Sequence, residues 1–244
     1  MMTTIKRFLI AAGTLAVLIT GMGATAQEAA IRKNLAERLP QLPKIDEVKS
    51  TPMPGLFEVR FNESEIMYTD AEGNFLLQGS LIDVKQRRNL TEERIDKLTA
   101  VEFGALPFKD AFTVVRGTGK RKVAVFEDPN CGYCKKLAKD VLTLKDVTVY
   151  TFLLPVLGDD SYEKSKAIWC SKDPAKAWQD WMVRDQAIPA LPAGCDTTAL
   201  SRNVDLGRNY KITGTPTLVF VDGNRVPGAI DSKQVEKLLT DSKS

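Results

Sequence analysis

The sequence contains no histidine among its 244 residues. This absence excludes Ser-His-Asp and Cys-His catalysis, and it removes the commonest zinc ligand. The formal net charge is only +3, and no long run of one sign is present. Such a balance argues against a nucleic-acid partner. Thiol, carboxylate, amine and hydroxyl groups remain as possible sources of chemistry.

Long apolar runs are also scarce, and the clearest one lies near the start. Lys6 and Arg7 precede an apolar run over 8–19, and small residues follow as far as Ala26. This pattern is typical of a secretory signal peptide, which we place at 1–26. A transmembrane anchor is the alternative, but the run is well short of the ~20 residues needed to span a bilayer. We therefore expect an exported mature chain, whose net charge falls from +3 to +1 when the two basic residues are removed.

Cysteine is rare but informative. The chain has four cysteines, and an even number of them in an exported chain indicates disulfide chemistry. Cys131 and Cys134 enclose Gly132 and Tyr133, between a predicted strand and a predicted helix. Unpaired N–H groups and the dipole at a helix N-terminus favour a thiolate there. We predict that Cys131 is the exposed nucleophile, and that Cys134, one turn into the helix, is the shielded resolving thiol.

Two alternatives exist for this cysteine pair. A zinc site would have to add Cys170 and Cys195, which are far apart in sequence and form no second short-spaced pair. A purely structural bridge between Cys131 and Cys134 would close a tiny loop and stabilise little. Cys170 and Cys195 flank a predicted helical insertion, and for them a structural bridge worth roughly 3 kcal/mol is the favoured interpretation.

The first half of the mature chain predicts a small α+β domain over 27–88. Apolar residues recur every four positions up to about residue 39, which indicates a short amphipathic helix. An alternating strand over 56–61 and a hairpin over 65–84 follow. The sequence from Asn89 has the form of a capped helix, which we interpret as a linker helix over 89–106. A peripheral helix of one continuous domain is the alternative.

The remaining residues, 107–244, predict alternating strands and helices. Strands are expected at 122–126, 147–154 and 217–221, and helices at 131–144, within 161–206 and from 231 onward. This order predicts a thioredoxin-like domain with helices inserted in its middle. Before the third strand stands Gly214-Thr215-Pro216-Thr217. From the residues alone, an ordinary trans proline is the better expectation for Pro216.

The cysteine motif and the Thr-Pro-Thr segment together form a strong joint signal. The chain resembles the DsbC/DsbG family of periplasmic disulfide isomerases over essentially its whole mature length. The resemblance rests on four segments: Phe126-Glu-Asp-Pro-Asn-Cys-Gly-Tyr-Cys134, Ala167-Ile-Trp-Cys-Ser-Lys-Asp173, Gly214-Thr-Pro-Thr217 and Val226-Pro-Gly228. Gly-Tyr between the cysteines is similar to the DsbC branch, whereas the DsbG branch carries Pro-Tyr.

The resemblance implies several properties beyond the motif itself. It implies a V-shaped homodimer joined through the N-terminal domains, a cis bond at Pro216 and a structural disulfide between Cys170 and Cys195. Thr215 and Pro216 would border the reactive sulfur and present backbone to the extended chain of a substrate. A membrane thiol reductant of DsbD type would keep the active-site pair reduced. Neither a cofactor nor a metal is implied.

The acidic residues before the cysteine motif depart from the thioredoxin pattern. Thioredoxin has a buried aspartate six residues before its first cysteine, and that position is Val125 here. Glu127 and Asp128 lie nearer, but solvated loop acids would give the same pattern, so their role stays open and we assign neither a proton-transfer role. For Tyr133 two roles stay open, contact with substrate or packing on the surface.

The predicted activity is rearrangement of incorrect disulfides in exported proteins by a periplasmic thiol-disulfide isomerase. Two other functions are possible. One is a DsbG-like reductase of oxidised single cysteines, which would use the same thiols. The other is a holdase chaperone that binds unfolded chains between its domains and for which the thiols are incidental.

Overall fold

The structure, a computed structural model, describes residues 20–242 of the chain. They form two compact units whose boundary lies between Ile95 and Asp96. The predicted leader at 1–26 lies largely outside the described residues and stays a prediction. Among residues 20–242, none of the helices has both the length and the apolar composition of a membrane span.

The first unit is a four-stranded antiparallel sheet packed against one helix. Its elements are α1 (Thr20–Arg38), β1 (Ile45–Ser50), β2 (Phe57–Phe61), β3 (Glu65–Thr69), β4 (Leu76–Leu77), β5 (Ile82–Asp83), β6 (Arg88–Asn89) and the first part of α2 (Leu90–Leu98), which continues past the unit boundary. The sheet has the order β1-β2-β3-β4, and β5 pairs with β6 separately. Ile31 and Leu35 of α1 form the core with Val59 and Phe61 of β2.

Three details of this unit differ from the sequence-based prediction. The helix α1 begins at Thr20 rather than near residue 27, and β1 was not predicted. The predicted hairpin does turn after Asp70, whose side chain accepts hydrogen bonds from the backbone of Asn74 at 2.7 Å and Phe75 at 3.1 Å. Its second arm is short, because the chain leaves β4 at Leu77 and forms β5 instead.

The linker helix α2 is shorter than the predicted span of 89–106. Asn89 caps its N-terminus and accepts a hydrogen bond from the Glu92 backbone at 3.2 Å, as the sequence pattern indicates. The helix ends at Leu98, and two short 3₁₀ turns follow it. Val101 leaves the helix because its N–H donates to the Gly223 carbonyl at 3.0 Å and its side chain is buried in the second unit.

The second unit has one mixed sheet with helices on both of its faces. Its elements are β7 (Phe112–Arg116), β8 (Arg121–Glu127), α3 (Gly132–Val141), β9 (Val147–Leu153), α4 (Asp159–Trp169), α5 (Pro174–Arg184), α6 (Thr198–Asn209), β10 (Thr217–Phe220), β11 (Arg225–Pro227) and α7 (Ser232–Asp241). The sheet order is β11-β10-β8-β9-β7, with β8 and β9 parallel. The expected mixed fold with helices inserted between β9 and β10 is confirmed. The edge strand β7 is present in the structure but was not predicted from the sequence.

Strand β8 lies at the centre of this sheet and is buried on both faces. Val123 and Val125 pack with Leu137 of α3 on one face, whereas Ala124 and Phe126 belong to the core on the other face. Because α3 follows β8 after a short loop, its N-terminus lies at the carboxyl end of the central strand. The cysteine motif therefore follows directly after the buried central strand of the unit.

Candidate active site

Cys131 is the N-cap of α3, as the sequence predicts. Its backbone is extended, and its sulfur accepts a hydrogen bond from the Cys134 N–H at 3.1 Å. The free N–H groups of the first helical turn and the helix dipole point toward this sulfur and stabilise negative charge on it. The Cys131 thiol also donates a hydrogen bond to the Thr215 carbonyl at 3.2 Å.

The two cysteines are free thiols, and both are buried. Cys131 is 5% exposed and Cys134 is 0% exposed. The prediction that Cys131 is an exposed thiol is therefore wrong, because the loop carrying Thr215 closes over the helix N-terminus. Burial raises the pKa of the Cys134 thiol far above its ordinary value, and the nearby Glu127 carboxyl raises it further.

The Thr-Pro loop faces Cys131 and is held by its own hydrogen bonds. The Thr215–Pro216 peptide bond is cis, as the family resemblance implies. The Pro216 carbonyl accepts a hydrogen bond from the Gly228 N–H at 2.8 Å. Thr217 donates from its hydroxyl to the Gly214 carbonyl, also at 2.8 Å. These contacts explain why segments at 214–217 and 226–228 accompany the cysteine motif.

The two residues between the cysteines lie at the surface. Tyr133 is 72% exposed, so its ring does not pack into the unit. Gly132 is also exposed, and a Cβ atom at its position would meet no atom within 4 Å. The fold therefore does not require glycine at position 132. The absence of a side chain there leaves the surface beside Cys131 open.

Asp128 is not a solvated loop acid. It is fully buried, and its carboxylate accepts four hydrogen bonds. The donors are the backbone of Asn130 at 2.8 Å, Val156 at 2.8 Å and Leu157 at 3.0 Å, and the Ser161 hydroxyl at 2.7 Å. A carboxylate satisfied in this way holds loops together, and here it fixes the loop before Cys131 to the segment after β9.

Glu127 is not a solvated loop acid either. It is the last residue of β8 and is only 4% exposed. Its Oε1 atom is buried and has no hydrogen-bond partner. Burial raises the pKa of this carboxyl from 4.5 to about 8. The alternation of β8 carries the signal that could have located it, because residues 123, 125 and 127 share one face of the strand.

Trp181 of α5 supports the same loop, although no sequence motif includes it. Its indole N–H donates to the Pro129 carbonyl at 2.6 Å. The ammonium groups of Lys135 and Lys164 lie 4.8 and 4.7 Å from the centre of its ring. The inserted helices therefore reach back to brace the residues immediately before Cys131.

Cys170 and Cys195 form a disulfide in the structure, with Cα atoms 6.0 Å apart and 25 residues of sequence separation. The bridge joins the C-terminus of α4 to the segment before α6. It uses both thiols that the alternative zinc site would need. In the described residues, 20–242, no group of three or more potential metal ligands comes together.

Replacing both Cys170 and Cys195 by alanine should lower the free energy of unfolding by roughly 3 kcal/mol, because the unfolded chain would lose the constraint on a loop of this length. The rate at which Cys131 attacks a small disulfide should change little, since the hydrogen bonds of its sulfur are to Cys134 and Thr215. Urea unfolding and stopped-flow thiol exchange measure the two effects. Unchanged stability would remove the structural role of the bridge.

The fold and the free cysteine pair at a helix N-terminus define a thiol-disulfide oxidoreductase of the thioredoxin type. Comparison with known families supports this class. Residues 22–92 match the disulfide bond isomerase protein N-terminal domain, and residues 108–243 match a thioredoxin-like domain.

Individual relatives show which family within the thiol-disulfide oxidoreductases this chain belongs to. A probable thiol:disulfide interchange protein DsbC of Bordetella parapertussis is 43% identical over 213 residues, covering 87% of this chain and 74% of the relative. The DsbC of Escherichia coli K12 is 30% identical over 223 residues, 88% of this chain and 89% of the relative. The crystal structure of a disulfide interchange protein from Neisseria gonorrhoeae covers 56% of this chain and 98% of that one, with a TM-score of 0.51 and 38% identity. The chain belongs to the DsbC family of thiol:disulfide interchange proteins.

Proposed function

We propose that this protein rearranges incorrect disulfides of exported proteins in the periplasm, and that Cys131 and Cys134 carry the reaction. The Cys131 thiolate attacks a substrate disulfide and forms a mixed disulfide. Rearrangement within the substrate then releases Cys131 without net oxidation. Alternatively, Cys134 attacks the Cys131 sulfur, which releases a reduced substrate and leaves a Cys131–Cys134 disulfide.

The position of the Cys131 sulfur carries this proposal. The helix N-terminus and the Cys134 N–H stabilise its negative charge. The cis Thr215–Pro216 segment lies against the same sulfur and offers backbone to an extended substrate chain. The exposed Tyr133 ring adds an apolar contact beside it. A mixed disulfide on Cys131 would therefore form next to backbone groups and an aromatic ring that can bind the substrate chain.

The expected partners follow from the reaction. Misfolded exported proteins supply the disulfides, and a membrane thiol reductant of DsbD type would return Cys131 and Cys134 to the dithiol form. We also propose that residues 27–88 join two copies in a homodimer. In support, the first unit contains no cysteine, and its edge strand β4 and the adjoining residues expose large apolar side chains at Phe75 and Leu77.

Replacing Cys134 by serine should trap this protein on its substrates. Cys131 would still attack, but the escape reaction of the mixed disulfide would be lost, so covalent adducts should accumulate severalfold in an oxidising periplasmic extract. Non-reducing gels and mass mapping of the linked cysteines measure them. The matched control is Cys131→Ser combined with Cys134→Ser, which should form none. Adducts in that control, or their absence from Cys134→Ser alone, would reject the assignment.

A further inference from the structure

Glu127 is a buried acid that the reaction described above leaves without a role. Its side chain is 4% exposed, and Oε1 has no hydrogen-bond partner. Leaving a buried polar atom unpaired is costly, and most proteins avoid it. Asp128, the next residue, shows the usual solution with four hydrogen bonds. The contrast between these neighbours points to a chemical role for Glu127.

The strand places Glu127 on the side of the sheet that carries the resolving thiol. Residues 123 and 125 of β8 pack against Leu137 of α3, and alternation brings residue 127 to the same face. Cys134 lies in the first turn of α3 and is fully buried. Cys134 packs with Ala138 and Trp178, and both of these residues line one small cavity together with Glu127. Burial, and after it the Glu127 carboxyl, raises the pKa of the Cys134 thiol. The two groups therefore share one water-poor region beneath the active site.

A small cavity of about 30 Å³ borders Glu127 in the same region. It is large enough to hold a water molecule. Its wall includes Arg116, whose Nε atom also lacks a hydrogen-bond partner, although the same guanidinium donates to the Leu142 carbonyl at 2.8 Å. Glu127 and Arg116 thus each contribute a polar atom without a hydrogen-bond partner to the residues around one cavity. An internal water molecule needs polar partners of this kind. Arg116 is half-buried, so this wall extends from the interior to the surface.

The charged groups around Glu127 are few. Arg116 of β7 and Cys134 of α3 face its region, whereas β9 contributes Thr151 and α5 contributes Trp178 and Gln179, which carry no charge. Burial is the one cause that raises the pKa of Glu127 to about 8. Both forms of the carboxyl are thus accessible near neutral pH, with about a tenth ionised at pH 7.

We propose that Glu127 accepts the proton of the Cys134 thiol when the mixed disulfide is resolved, and returns it when the active-site disulfide is reduced. The proton passes directly or across water in the cavity beside Arg116. This inference rests on the proposed function of Cys131 and Cys134, and it adds the group that activates the second thiol.

In the resolving step, Cys134 loses its proton to the Glu127 carboxylate, and the Cys134 sulfur forms a bond to the Cys131 sulfur. The bond between Cys131 and the substrate sulfur breaks, and the substrate leaves as a thiolate that takes a proton from water. Cys131 and Cys134 together lose two electrons, which reduce the substrate disulfide. In reverse, an incoming thiolate attacks Cys131, and Cys134 leaves with the proton of the Glu127 carboxylic acid.

The need for such a group follows from the burial of Cys134. A thiol whose pKa lies far above neutrality ionises too rarely to attack a disulfide quickly. A carboxyl with a pKa near the working pH can remove that proton during the attack itself. General acid-base catalysis of this kind contributes about a hundredfold or more to the rate.

The test compares the wild-type full chain with Glu127→Gln during oxidation by excess oxidised glutathione. Rapid acid quench and mass spectrometry follow first the mixed disulfide on Cys131 and then the Cys131–Cys134 disulfide. The attack on glutathione disulfide should change by less than about twofold, whereas resolution should slow by about a hundredfold at pH 7. Ionised Glu127 is the base, so wild-type resolution should rise with pH and level off above about 8. The variant should lack that inflection.

Glu163→Gln is the matched control, because it makes the same chemical change at an exposed position on α4. Its attack and resolution rates should equal those of the wild type. Equal resolution rates and pH profiles in Glu127→Gln and wild type would overturn the proposal. An equal loss in both steps would also overturn it, since that result indicates a structural role. If the wild type forms no mixed disulfide on Cys131, the proposed function itself fails, which is a different outcome.

Discussion

Replacement of Cys131 by serine should reduce disulfide interchange by more than about a thousandfold, to the uncatalysed background, because a serine hydroxyl does not ionise near neutral pH and cannot form a mixed disulfide. The helix N-terminus would still present its N–H groups to the side chain, so the fold should persist. Recovery of a scrambled multi-disulfide protein and reduction of a small disulfide both measure this loss.

The same experiment separates the enzyme from a holdase chaperone. A chaperone that merely binds unfolded chains would keep its effect on recovery in Cys131→Ser. The matched control is Tyr133→Ser, which alters the exposed ring beside the thiols and leaves both sulfurs in place. It should retain reduction of a small disulfide and lose at most part of the recovery of a protein substrate. Undiminished isomerisation by Cys131→Ser would reject the thiol mechanism.

Local sequence signals predict the elements around the cysteine motif well. The buried run that becomes β8 and the periodic run that becomes α3 each form close to the predicted residues, with Cys131 as the N-cap. Such features depend on neighbours in the chain, which the sequence displays directly. The edge strand β7 was missed because it is only five residues long and lies beside Gly117 and Gly119, and its pairing partner β9 follows a whole strand and helix later.

Burial around the active site could not be predicted in the same way, since it depends on segments distant in sequence. Thr215 lies 84 residues after Cys131 and covers its sulfur, which makes an expected exposed thiol a buried one. Trp181 reaches Pro129 across 52 residues. The acid at residue 127 looks like the start of a loop in sequence, but β8 continues through it and places it in the interior.

The Glu127 carboxyl should also make the stability of the protein depend on pH. Its pKa is about 8 in the folded protein against 4.5 as the ordinary value. Between these values the folded state binds more protons than the unfolded state, so the free energy of unfolding falls as pH rises. The slope is about 1.4 kcal/mol per pH unit, and the loss reaches up to about 5 kcal/mol above pH 8.

Glu127→Gln should therefore match the wild type near pH 4 and exceed its free energy of unfolding by up to about 5 kcal/mol at pH 9. Urea unfolding at several pH values measures this difference, with Cys131 and Cys134 both replaced by serine so that no thiol titrates. Glu163→Gln in the same background should follow the wild-type curve. Parallel curves for Glu127→Gln and wild type would show that the carboxyl ionises as readily in the folded chain as in the unfolded one. A buried acid without a hydrogen-bond partner for Oε1 suits a proton-transfer role, because hydrogen bonds to a carboxylate favour its charged form and oppose the uptake of a proton near neutral pH.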